Sequence, residues 1–248
     1  MENKQQFPTE EVTLPSKGLL YSKDSPLKKG TIEMKYMTAR EEDILTNQNF
    51  IKNGTVIDKL LESLIVSKID YNDLILGDKN AILIAARILG YGSDYTFEYN
   101  GEEHTVDLTT IEDKFLNESL VKDGKNKFDF TLPTSKTPVT FKFLTHKDEI
   151  AISNELKGLQ KINKNNVPNN TTRLKHIITS VNGNYETKNV REFVDNNLLA
   201  RDARALRKYI SDIQPDVKLV YENEKPNGEV TEIAIPIGVG FFWPDAGV

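Results

Sequence analysis

The 248-residue chain contains no cysteine, one tryptophan, three histidines and three methionines. Without cysteine there are no disulfides, no thiolate metal sites and no cysteine nucleophile, and the redox compartment stays open. Long apolar runs are also missing. The longest, Ala81–Ala86, falls far below the roughly 20 residues that cross a bilayer, so no membrane insertion is expected. The amino-terminal Met1-Glu2-Asn3-Lys4-Gln5-Gln6-Phe7-Pro8 has no apolar stretch, so no secretory signal is expected and synthesis in a cytoplasm is. Positive charge is not in excess. The formal net charge is −5, whereas a general nucleic-acid surface needs a surplus of Lys and Arg, so no nucleic-acid partner is expected.

Catalytic signatures are equally scarce. There is no phosphate loop, no HExxH, no GxSxG and no glycine-rich dinucleotide turn. His104, His146 and His176 share no helical spacing, so no metal triad is expected within one element. The charged fraction of 28% and hydrophobic fraction of 38% fit a folded protein with a polar surface.

What is present is a repeat. Residues 32–42 read Ile-Glu-Met-Lys-Tyr-Met-Thr-Ala-Arg-Glu-Glu, and residues 139–149 read Val-Thr-Phe-Lys-Phe-Leu-Thr-His-Lys-Asp-Glu. Lys35 matches Lys142, Tyr36 matches Phe143, Thr38 matches Thr145 and Glu42 matches Glu149. A Leu-Pro pair precedes each copy, at Leu14-Pro15 and Leu132-Pro133. Strand-to-capped-helix junctions also recur by convergence, but the later elements keep the same order and favour duplication.

Ile32, Met34 and Tyr36 alternate as a strand. Thr38 and Glu41 form a capping box for a helix from Ala39 to about Asn47, and Thr55 caps a second carrying Val56, Leu60, Leu61 and Leu64. A third helix, 78–89, is apolar on nearly every face and is the expected core helix. Asn100-Gly101 then closes a hairpin of 95–99 with 104–108. In the second half a strand at 138–144 leads to Thr145 and a helix reaching about Leu159. Residues 161–170 read as a polar loop. A helix through Leu174, Ile177, Ile178 and Val181 follows, then a short one at 190–196. The helix 202–213 and a hairpin around Pro226-Asn227-Gly228 complete the half.

The expected fold class is therefore α+β, with two related modules of strand, three helices and β-hairpin. The expected divisions are a flexible lead-in at 1–13, modules at 14–123 and 124–240, and an aromatic tail at 241–248. The clusters Glu41-Glu42-Asp43 and Asp148-Glu149 fall in first helical turns, where carboxylates complement the helix dipole, and read as structural. The tail Phe241-Phe242-Trp243-Pro244 either plugs the chain's own core or anchors to a partner. The flanking Gly238 and Gly240 tilt the reading toward docking.

Taken together, several segments resemble one family. They are Leu14-Pro15-Ser16-Lys17-Gly18, the Met37–Leu45 helix entry, Gly77-Asp78-Lys79, Tyr91-Gly92 and Phe241-Phe242-Trp243-Pro244. Their order is similar to that of baseplate proteins of contractile-tailed, T-even-like bacteriophages, described as hub or hub-assembly proteins. Some relatives carry CxxC pairs in the hairpins; residues 98–103 and 222–229 have none here, so no zinc site or other cofactor is carried over. The resemblance implies a non-enzymatic virion component made in the host cytoplasm. Its partners would be other baseplate or tail-tube and hub proteins, with several copies in a symmetric assembly. The expected partner-binding residues are Leu14, Pro15, Lys17, Leu20 and Tyr21 at one end, and Phe241, Phe242, Trp243 and Pro244 at the other. The alternatives are a transient assembly chaperone and, more remotely, a tail-associated cell-wall hydrolase.

Overall fold

The computed structural model of the chain describes residues 8–122, 124–162, 167–224, 228 and 230–242. The fold class is α+β, with the strands gathered in small antiparallel sheets and the helices interleaved.

The chain begins with β1 (Thr9–Thr13), which pairs antiparallel with β2 (Thr31–Lys35) in the register Thr9 to Lys35. This corrects the expected flexible lead-in for residues 9–13; residues 1–7 lie outside the described residues. The side chains of β1 are mostly exposed, so its main-chain ladder with β2 is what holds it in place. Helices α1 (Ala39–Leu45), α2 (Gln48–Asn53) and α3 (Val56–Leu64) follow, then the core helix α4 (Leu76–Tyr91). Helix α1 starts as its sequence dictates: the Thr38 amide donates to the Glu41 carboxylate at 3.0 Å. After α3 the chain returns to β2 through a bridge between Met34 and Ile65.

The first hairpin is β3 (Asp94–Tyr99) with β4 (Glu102–Asp107). Asn100 and Gly101 both have positive φ, as the primed turn inferred from Asn-Gly requires. The short β5 (Asp113–Lys114) follows, then β6 (Phe128–Thr131), β7 (Pro138–Phe141), α5 (His146–Ile162), α6 (Asn169–Ile177) and β8 (Ile178–Val181). Strands β6, β7 and β8 form a three-stranded sheet in that order. The helix expected through Val181 thus ends at Ile177. The apolar residues after it pair with β7 as a strand. Part of the expected loop 161–170 is helical at its two ends, while residues 163–166 lie outside the described residues. Helices α7 (Thr187–Asn196) and α8 (Ala200–Ile213), the short β9 (Asp216–Val217), and the hairpin β10 (Val220–Glu224) with β11 (Val230–Ala234) follow, and a single helical turn at Val239–Phe242 ends the described residues. Residues 225–227 of the second expected turn lie outside the described residues.

The halves are joined by more than a linker. Strand β5 pairs with β9. Ile75, which leads into α4, bridges to Thr145, and the Leu76 amide donates to the Leu144 carbonyl at 3.1 Å. Gly77 lies so close to Pro215 that a Cβ there would sit 1.8 Å from its carbonyl oxygen. One contiguous apolar cluster runs from Leu14 to Phe242 through both halves.

Candidate functional site

The residues expected to dock a partner are placed mainly in the chain's own core. Leu14, Leu20 and Tyr21 are buried, as is Pro15. Asp78, in the first turn of α4, accepts from the Ser16 amide at 2.8 Å, the Ser16 hydroxyl at 2.6 Å and the Tyr21 hydroxyl at 2.6 Å. The Tyr21 oxygen also accepts from the Ile75 amide at 3.0 Å. Burial raises the Asp78 carboxyl pKa above its ordinary value, although each of these donors acts in the opposite direction. Burial, with the Asp78 charge beside it, also raises the Tyr21 pKa. Three donors thus converge on one buried carboxyl, and removing it would leave them buried without a partner, so the Leu14–Tyr21 segment is fastened to the core helix from within. Lys17 alone of this group is exposed. It lies 4.9 Å above the ring of Phe115, which is itself exposed.

The carboxyl-terminal pair is corrected in the same way. Phe241 and Phe242 are 1% and 0% exposed. Phe241 meets the edge of Tyr95 at 4.7 Å between ring centres, and the Tyr95 hydroxyl donates to the Pro236 carbonyl. Of the two roles weighed for these aromatics, plugging the core is the one the structure gives Phe241 and Phe242. Trp243 and Pro244 lie outside the described residues.

A second anchored loop follows the other Leu-Pro pair. Asp202, in the first turn of α8, accepts from the Thr134 amide at 2.7 Å and the Ser135 amide at 2.9 Å. Burial pushes its pKa up, but these donors outweigh that and hold it below the usual range. Lys17 and Lys136, each in the turn after its Leu-Pro, both have left-handed backbone, with φ of 50° and 56°. Other matched residues behave alike. Lys35 pairs with Glu41 at 2.8 Å and Lys142 with Asp148 at 2.7 Å. Thr145 donates its amide to Asp148 at 3.0 Å, as Thr38 does to Glu41. Met34 bridges to Ile65 after α3, and its counterpart Phe141 pairs with Ile178 after α6.

One polar cluster was not found from sequence. Lys79 of α4 donates to the Asp58 carboxylate and approaches His146 Nδ1 at 3.3 Å, while the Tyr71 hydroxyl donates to Asp58 at 3.0 Å. The Tyr71 and His146 rings meet edge to face at 4.7 Å. Burial, then the neighbouring Lys79 charge, lowers the His146 pKa, so a neutral ring accepts from the ammonium. The cluster borders a cavity of about 540 Å³ between α3, α4 and α5. Its members are 88 residues apart in sequence, from Asp58 to His146, so no local pattern announces it. It clasps α5 to the first half.

The other histidines are used within the fold. His104 is buried beside Phe97 and Tyr221 in the contact between the two hairpins, and His176 faces Glu155, which also pairs with Arg191. Among the described residues, no group of three His, Cys, Asp or Glu is placed to hold a metal ion. No helix of the described residues is long and apolar enough to cross a membrane.

Comparison with protein-family models, characterised proteins and solved structures finds no match to this chain.

Proposed function

We propose that this chain is a non-catalytic structural component of a bacteriophage tail baseplate, in the hub or next to it, that holds neighbouring subunits together through protein–protein contacts. One observation carries the reading. Three of the segments on which the baseplate resemblance rests take part in fastening the molecule to itself: Leu14–Gly18 to Asp78 of α4, and Phe241-Phe242 to Tyr95. A sequence signature spent on internal ties describes a building block. Tandem duplication belongs to the same proposal, supported by the recurrence of the Leu-Pro loop, its aspartate anchor and the capped helix in both halves. Two linked modules that each engage one partner raise the effective concentration for the second contact once the first is made.

Mass spectrometry of tail particles purified from infected cells tests the proposal. A structural component is present in the finished particle at a fixed ratio to the other baseplate subunits. Its presence in assembly intermediates but absence from finished tails would replace this reading with the assembly chaperone.

A further inference from the structure

The chain's negative charge is not spread evenly. Residues 92–113 contain seven Asp and Glu and no Lys or Arg, which more than accounts for the whole chain's net charge of −5. These residues form the β3–β4 hairpin and the strand after it, and the second hairpin packs beside them, with Tyr221 against Phe97 and His104.

The pairing inside the hairpins is unfavourable. Asp94 lies directly opposite Asp107, Glu98 opposite Glu103, and Glu222 opposite Glu232. All six side chains are exposed. Like charges facing each other across a strand pair destabilise it. Asp107 also caps the turn after β4, accepting from the Thr109 amide at 2.9 Å and the Thr109 hydroxyl at 2.7 Å, whereas the Glu222–Glu232 pair lies open along the second hairpin. Local conflict of this kind marks surfaces retained for a purpose other than stability.

Residues of β4 and β10 line a cleft of about 620 Å³ between the hairpins. Each hairpin is a two-stranded sheet, so among the described residues neither β4 nor β10 has a strand partner on the side facing the cleft. The floor closes where β5 pairs with β9 and the Lys218 amide donates to the Glu112 carbonyl. Asp107, Glu222 and Glu232 line the cleft, and the exposed Val220 adds apolar surface. Lys218, also in the lining, pairs with Glu112; that bond, with the more distant charges of Glu222 and Glu232, raises its pKa and favours its charged form. The cleft already favours an ammonium and still has carboxylates to spare.

We propose that this cleft takes an extended, Lys- and Arg-rich segment of a partner protein, laid along the free edges of β4 and β10. An extended chain sets alternate side chains on one face about 6.5–7 Å apart, matching carboxylates strung along strands. A point-like metal ion would instead need carboxylates converging on one spot. The inference concerns a surface of this molecule and stands independently of the baseplate reading.

Fluorescence anisotropy with the full chain and a labelled peptide of alternating Lys and Thr tests it. The peptide binds with an affinity that falls as salt rises, while an alternating Glu-Thr peptide does not bind. An alternating Lys-Pro peptide of equal charge, lacking half the main-chain donors, binds more weakly. The double variant Glu222→Gln/Glu232→Gln loses about three- to tenfold in affinity while its melting temperature rises, because the repulsion across the hairpin is relieved. The distant control Asp43→Asn/Glu192→Gln keeps its affinity. Absence of Lys-Thr binding, an equal loss in the control, or equal binding of the Lys-Pro peptide would overturn the proposal.

Discussion

Glu41 shows how much one side chain does here. Its carboxylate is inaccessible to solvent and accepts from the Thr38 amide, the Thr38 hydroxyl, the Ser63 hydroxyl and Lys35. Burial raises its pKa, and the donors overcome that and bring it down to about 2 from the ordinary 4.5. Its contribution to stability is therefore complete above about pH 4.5 and is lost as the pH falls toward about 2. Glu41→Gln is expected to lower stability at neutral pH by about 3 kcal/mol. It should also flatten the fall of melting temperature between those two pH values, as thermal melts across the range would show. The loss of stability on acidification should persist in full in a Glu62→Gln control.

At the scale of elements, the carboxyl-terminal aromatics matter most. Phe241→Ala removes a ring packed between Tyr95 and Phe242 and is expected to cost about 3–5 kcal/mol, measured by denaturant unfolding. Sequence alone tilts this segment toward docking, because a run of aromatics has the same composition whether it fills its own core or another protein's and the flanking glycines suggest a free tail. Elements governed by local chemistry were legible: the Thr38–Glu41 cap, the Asn100-Gly101 turn and the apolar core helix. Elements settled by distant partners were not. The exposed acidic strand β1 resembles a polar lead-in until β2 is beside it. Ile177, Ile178 and Val181 fit helical spacing, yet pairing with β7 ends the helix at Ile177. The ties at Asp78 and Asp202 join residues 62 and 68 positions apart, beyond the reach of any periodicity.

At the scale of the whole molecule, the two halves recognisable in sequence share one core. The expected boundary near residue 124 is drawn from the pattern of the sequence. It is crossed by close contacts, since β5, Gly77, Ile75 and Tyr95 of the first half meet β9, Pro215, Thr145 and Phe241 of the second. Residues 8–122 and 124–242, produced separately, are expected to lack cooperative unfolding, while the whole chain unfolds in a single transition. Calorimetry of the three proteins distinguishes this from two autonomous domains, which would each give a transition of their own.

The two-residue pairing of β5 with β9 sets a clock on biosynthesis. Strand β5 is translated about a hundred residues before its partner at Asp216–Val217, so on a ribosome adding about 5–20 residues per second it waits several seconds for completion. The first half must leave the exit tunnel with that strand edge open, and the fold closes only when Asp216 and Val217 have emerged as well.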